Sequence, residues 1–132
     1  ELLIELAENH NTTIFVSSHI LSEIAKITTR IGIIHNGTLI TEIISNELDS
    51  EIIKKLQIKT NHNERAVKLL QEKNFTASIH NGLIEIRDEN AINKPEEIAT
   101  HLVENNLPPK KLAVYEEDLE NYFLRTIQNH SQ

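Results

Sequence analysis

The feature that most constrains the fold is a series of short apolar segments between residues 12 and 37. Residues 14–16 are a β-branched and aromatic run with polar residues on both sides, typical of a buried strand in a parallel sheet. Apolar residues then recur at helical spacing over 20–27. Residues 31–34 form another apolar run, and Asn36-Gly37 indicates a tight turn. This order predicts a βαβ unit.

The loop of that unit carries the most reactive side chains of the segment, Ser17, Ser18 and His19. It would lie at the carboxyl end of the first strand, where open α/β sheets bind their ligands. A structural alternative is that the serines cap the following helix and the histidine packs near its start. The residues alone leave both interpretations open.

The wider segment resembles a known family. Ser-Ser-His-Ile-Leu-Ser-Glu at 17–23, with Arg-Ile-Gly-Ile-Ile at 30–34 and the turn before Leu39, is similar to the switch-histidine segment of ABC transporter ATP-binding subunits. The similarity is to subunits of the bacitracin, lantibiotic or multidrug export type. It implies that His19 is catalytic, reaching the γ-phosphate and helping to position the attacking water. It also implies that Ser18 and His19 contact ATP.

The chemistry of these residues agrees with that role. A neutral imidazole can hydrogen-bond to a phosphate oxygen or to a water molecule near neutral pH. Phosphoryl transfer depends mainly on positioning and charge stabilisation, not on a covalent nucleophile.

The resemblance also implies the setting of the complete protein. We expect ATP and Mg²⁺ as cofactors, a membrane-spanning permease and a second ATP-binding subunit as partners, and a cytoplasmic location at the inner face of the membrane. The expected cargo is an antibiotic, peptide or drug. The sequence holds three isolated glycines and therefore no glycine-rich phosphate loop. Without Walker A, signature and Walker B motifs, we expect the 132-residue chain alone to be inactive.

The chain has no methionine and opens within an apparent helix, so we expect it to be the C-terminal part of a longer protein. The apolar residues of 2–8, 13–16 and 31–34 would then lack sheet neighbours. Exposed strand edges recruit other chains, so we expect at least a homodimer, formed by edge pairing or domain swapping.

The fold class that we predict is α/β. Residues 1–45 would be the C-terminal piece of a P-loop NTPase-like nucleotide-binding domain, and 46–55 a linker helix. Residues 56–132 read as β-α-β-β-α-β, which predicts a small α+β ferredoxin-like accessory domain, followed by a terminal helix over 116–128 with acids in its first turn. As an alternative function, this region is a non-enzymatic small-molecule-sensing or dimerisation module.

The amino-acid composition argues against several other classes of function. Twenty Asp and Glu against thirteen Lys and Arg give a net charge of −7, which argues against nucleic acid as a partner. Cysteine is absent, so disulfides and thiol chemistry are excluded. Seven histidines are scattered without the spacing of a zinc site, so we expect no metal centre.

Overall fold

The computed structural model describes residues 2–131 and forms two compact units. The first unit combines the residues up to Ile52 with those from Glu117 onward, and the second spans Ile53–Glu116. The second unit is therefore an insertion within the first. Over the described range, no helix has both the length and the apolar character needed to cross a membrane.

The elements follow one another in chain order, and a 3₁₀ turn at Ser45–Glu47 lies among them. The helices are α1 (Leu2–Asn9), α2 (Leu21–Ile24), α3 (Leu48–Glu51), α4 (Asn63–Glu72), α5 (Glu89–Asn93), α6 (Pro95–Glu104) and α7 (Leu119–His130). The strands are β1 (Arg30–His35), β2 (Thr38–Ile44), β3 (Lys54–Lys59), β4 (Ala77–His80), β5 (Leu83–Ile86) and β6 (Lys111–Glu116).

The first unit is built on the antiparallel hairpin β1–β2. Its turn is the predicted Asn36-Gly37 pair, with φ of 49° and 74°; positive values at both central residues favour the type I′ turn that matches strand twist. One face of the hairpin is covered by α7, whose apolar side chains complete the core. The buried members of the cluster are Ile33, Ile43, Leu48 and Tyr122. The partly buried residues packed against it include Leu119, Phe123 and Ile127 of α7.

The predicted strand at 14–16 is wrong for this structure, and so is the βαβ unit. Residues 12–17 have no regular structure, and the Phe15 side chain is 92% exposed. A buried parallel strand needs ladder partners beside it, and no strand of the described range pairs with this segment. The helix after His19 is also short, because α2 ends at Ile24.

The second unit contains a four-stranded antiparallel sheet in the order β4-β5-β3-β6. A second Asn-Gly pair, Asn81-Gly82, turns β4 into β5 with φ of 50° and 77°. Alternate residues of the strands face an apolar core that also takes one face of α4 and of α6. Its fully buried large side chains are Leu56, Ile58, Leu70, Ile84, Ile86, Ile98 and Leu102.

The C-terminal helix differs from its prediction in both its start and its packing. Glu116 ends β6, and Asp118 is the N-cap, whose carboxylate accepts a hydrogen bond from the backbone N–H of Asn121 at 2.8 Å. The acids at 116–118 therefore precede the helix. The apolar face of α7 packs in the first unit, not in the predicted accessory domain. The predicted linker helix is also shorter, since α3 ends at Glu51 and β3 begins at Lys54.

We predict that the second unit can be removed without unfolding the first. Lys54 and Glu116 are cross-strand partners, and opposed residues of an antiparallel pair have Cα atoms about 5 Å apart. A short Gly-Ser linker replacing residues 53–116 should therefore preserve the hairpin–α7 core and a cooperative thermal transition. Truncation after Ile52 is the matched comparison, because it also removes α7 and should abolish that transition. Equal behaviour of the two deletions in circular dichroism melts would contradict this account.

Candidate functional site

The predicted site lies in an exposed loop that precedes α2. The Ser18 hydroxyl oxygen accepts a hydrogen bond from the backbone N–H of Ile20 at 2.9 Å, which fixes a tight local turn. His19 lies within this turn, and its side chain is exposed. The serine therefore shapes the backbone around the histidine but does not cap α2, whose N-cap is Ile20 with no side-chain hydrogen bond. The structural alternative of capping serines and a packed histidine is thus wrong for this structure.

Helix α2 fixes the loop to the core of the first unit. Leu21 and Ile24 line a narrow apolar cleft together with residues of the hairpin and of α7. At the end of the helix, the Thr28 hydroxyl donates to the Ile24 carbonyl at 2.9 Å. The backbone N–H of Ser45 donates to the Thr29 carbonyl at 3.0 Å, which ties the segment to the end of β2. His19 is thus carried on a short turn whose following helix is packed.

The loop exposes the imidazole of His19, so this side chain is free to hydrogen-bond to a molecule that approaches the loop. Ser18 and His19 are brought together only as sequence neighbours. Within residues 2–131, no group of three or more His, Cys, Asp or Glu side chains is close enough to hold a metal ion. The described part of the loop thus offers an exposed imidazole without a metal-binding carboxylate cluster.

Sequence reasoning missed a buried ion pair beside α7. Both carboxylate oxygens of Glu117 accept hydrogen bonds from the Arg125 guanidinium, at 2.9 Å each, and Glu117 is only 6% exposed. Arg125 also donates to the Glu51 carbonyl at 3.0 Å and lies 5.3 Å from the Tyr122 ring centre. The hydrogen bonds that its guanidinium donates to Glu117 raise the pKa of Arg125 above its ordinary value. Glu117 precedes α7, so helical spacing in the sequence gave no signal for this pair.

A second polar cluster lies on the sheet face opposite the core of the second unit. Lys55 Nζ donates to Glu85 Oε1 at 2.6 Å, and the Gln57 amide donates to the same oxygen at 3.3 Å. Burial acts to raise the pKa of the Glu85 carboxyl, but the hydrogen bonds from Lys55 and Gln57, with the charges of Lys55 and His80, lower it below its ordinary value. Lys55 also lies 5.2 Å from the ring centre of Tyr115. This cluster is satisfied internally.

Comparison with known proteins identifies the class to which the chain is related. No protein-family model matches the chain. Its homologues among curated proteins are ATP-binding proteins of ABC transporters, which confirms the resemblance of the 17–34 segment.

Two of these relatives are bacitracin transport ATP-binding proteins BcrA. The protein of Bacillus licheniformis is 35% identical over 129 residues, which cover 96% of this chain and 42% of the relative. That of Enterococcus faecalis is 33% identical over 129 residues, covering 95% and 41%. An uncharacterised ABC transporter ATP-binding protein of Bacillus subtilis (strain 168), YcbN, is 27% identical over 130 residues, covering 96% and 41%. The chain thus spans about two fifths of the length of these relatives.

Loss of Arg125 should destabilise the first unit far more than loss of a surface arginine. Arg125→Met leaves the Glu117 carboxylate buried without its cation, and breaking such a pair costs about 2–4 kcal/mol where one partner is partly exposed. Arg30→Met is the matched control, because Arg30 pairs with Glu42 at 2.6 Å on an exposed surface, where ion pairs contribute little. Urea unfolding of the two variants provides the comparison. A destabilisation of Arg125→Met no larger than that of Arg30→Met would refute the role of the buried pair.

The Glu85 pair should make the stability of the second unit depend on acid pH. Because the folded pKa of Glu85 lies below its unfolded value, near 4.3, its contribution is complete above that pH and is lost as pH falls through the folded pKa. Glu85→Gln should therefore lower the free energy of unfolding at neutral pH and reduce its decrease towards about pH 3. Lys55→Gln removes the other half of the pair and should reduce the decrease likewise. Unchanged pH slopes in both variants would contradict the assignment.

Proposed function

We propose that this chain is the C-terminal part of the ATP-binding subunit of an ABC exporter, in which ATP hydrolysis drives the export of an antibiotic, peptide or drug. The observation that carries the proposal is the switch-histidine segment around His19, together with relatives that are ATP-binding proteins of ABC transporters. Two of those relatives are bacitracin transport proteins by name, which makes a peptide antibiotic the first cargo to test.

In this proposal, His19 contacts the γ-phosphate and orients the attacking water, and Ser18 shapes the turn that holds it. The exposed imidazole and the packed α2 support that role, because a group that stabilises a phosphoryl transition state must reach the ligand from a fixed backbone. Mg²⁺ and the remaining phosphate contacts would come from Walker A, Walker B and signature segments of the complete subunit. Its partners would be a second such subunit and a membrane-spanning permease, at the cytoplasmic face of the membrane.

We further propose that residues 1–45 belong to the nucleotide-binding domain, that 46–55 link it onward, and that an accessory domain of ferredoxin-like topology follows. The β-α-β-β-α-β order and the antiparallel sheet order β4-β5-β3-β6 support that topology, with α5 as an added turn of helix. Because α7 packs in the first unit, we assign this helix to the nucleotide-binding domain and not to the accessory domain. The accessory domain is also the candidate for the alternative function of sensing or dimerisation, and its open sheet face favours dimerisation.

The proposal predicts that His19 is needed for turnover in the complete subunit. Substituting His19→Ala should lower ATP hydrolysis by about a hundredfold or more, the effect of removing one transition-state contact. His10→Ala is the matched control, because His10 is also an exposed histidine of the first unit, and it should retain wild-type activity. Phosphate release at saturating ATP is the measurement.

Two results would count against this function. Wild-type turnover in His19→Ala would show that His19 is not catalytic and is an ordinary loop residue. Phosphate release by the 132-residue chain alone, above the level of its own His19→Ala variant, would show that the Walker and signature segments are dispensable.

A further inference from the structure

The open face of the four-stranded sheet concentrates positive charge in an acidic chain. The strands alternate, so that Leu56 and Ile58 enter the core while Lys55, Gln57 and Lys59 face the opposite side. The register places Lys111 directly opposite Lys59 on that side. On β5, Glu85 lies on the same side, and Arg87 continues the alternation just past the strand. We call this surface the basic face; its charged members are Lys55, Lys59, Arg87, Lys111 and Glu85.

Only part of this charge is balanced locally. Glu85 is engaged by Lys55 and Gln57, so its negative charge does not compensate the other cations. Among the described residues, Lys59, Arg87 and Lys111 take part in none of the ion pairs, which leaves three positive charges in excess. Lys59 and Lys111 are like charges directly opposite each other, an arrangement that destabilises a sheet. Where a fold keeps a locally unfavourable arrangement, a functional contact is the first explanation to test.

The charges of the two units are complementary. Residues 53–116 carry ten Lys or Arg and nine Asp or Glu. The remainder of the chain carries three Lys or Arg and eleven Asp or Glu, a net charge of −8. A second copy of the chain therefore brings a first unit of net charge −8 to the basic face of the first copy. A two-fold axis lets both copies make the same contact, which is the usual symmetry of homodimers.

We propose that the basic face is a homodimerisation surface, and that its occupant is the acidic first unit of a second copy of this chain. The proposal rests on the dimerisation role proposed above for the accessory domain, and it names the surface and the charge that select the partner. Tyr115 and Leu83, which lie half-buried on the same face, add apolar contact at a largely electrostatic interface.

The test compares two charge reversals within the second unit. Lys59→Glu places a negative charge on the basic face and turns the repulsive Lys59–Lys111 pair into an attractive one, so the fold should be retained or stabilised. Lys94→Glu makes the same change in net charge at an exposed position before α6, away from the basic face. It also breaks the Lys94–Glu97 ion pair, which is exposed and therefore contributes little to stability. Both variants change the overall repulsion between copies equally. A difference between their dimer dissociation constants therefore comes from the basic face.

Sedimentation equilibrium of the 132-residue chain should show a dimer that Lys59→Glu weakens by about tenfold or more and that Lys94→Glu leaves near wild type. The difference between the variants should shrink in about 1 M salt, where the screening length falls to about 3 Å. A dimer equally strong in both variants would overturn the basic face as the contact while leaving dimerisation itself intact. A monomeric wild-type chain would overturn both, and neither result would bear on the role of His19 in ATP hydrolysis.

Discussion

The pairing of β3 with β6 is the constraint on which the rest of the chain depends. Six consecutive residue pairs, from Lys54–Glu116 to Lys59–Lys111, hold the first and last strands of the inserted unit side by side. The chain therefore leaves the first unit and returns to it at neighbouring points. Only because of this return can α7, which follows β6 directly, pack its apolar face onto the hairpin that precedes the insertion.

Arg125 secures that return within the first unit. Its guanidinium binds the carboxylate of Glu117, the first residue after the insertion, and the carbonyl of Glu51, just before it. A single side chain thus holds both flanks of the insertion. The pair is sheltered enough for its hydrogen bonds to be strong, and the shared guanidinium leaves the buried carboxylate fully satisfied.

Local signals in the sequence were sufficient wherever the structure is local. Both Asn-Gly turns predict their hairpins, because few other residue pairs tolerate two successive positive φ values. The two helices predicted within residues 56–132 are likewise observed, as α4 and α6. The strand at 14–16 failed because an apolar run becomes a strand only beside a partner, and the structure gives Phe15 none. The packing of α7 was not predicted for a related reason: the sequence pattern gives the helix an apolar face but does not name the surface that covers it.

The two units also differ in how much of their apolar surface is covered, and this difference bears on function. The core of the second unit is closed, with seven large side chains fully buried. The first unit leaves Leu2, Phe15, Ile34 and Leu39 more than half exposed, and no residue of α1 is buried. These exposed apolar side chains are available to contact other protein. His19 lies in this incompletely covered unit, whereas the basic face belongs to the closed one. A role for His19 in hydrolysis therefore requires further protein around its loop, while the basic face needs nothing beyond a second acidic surface.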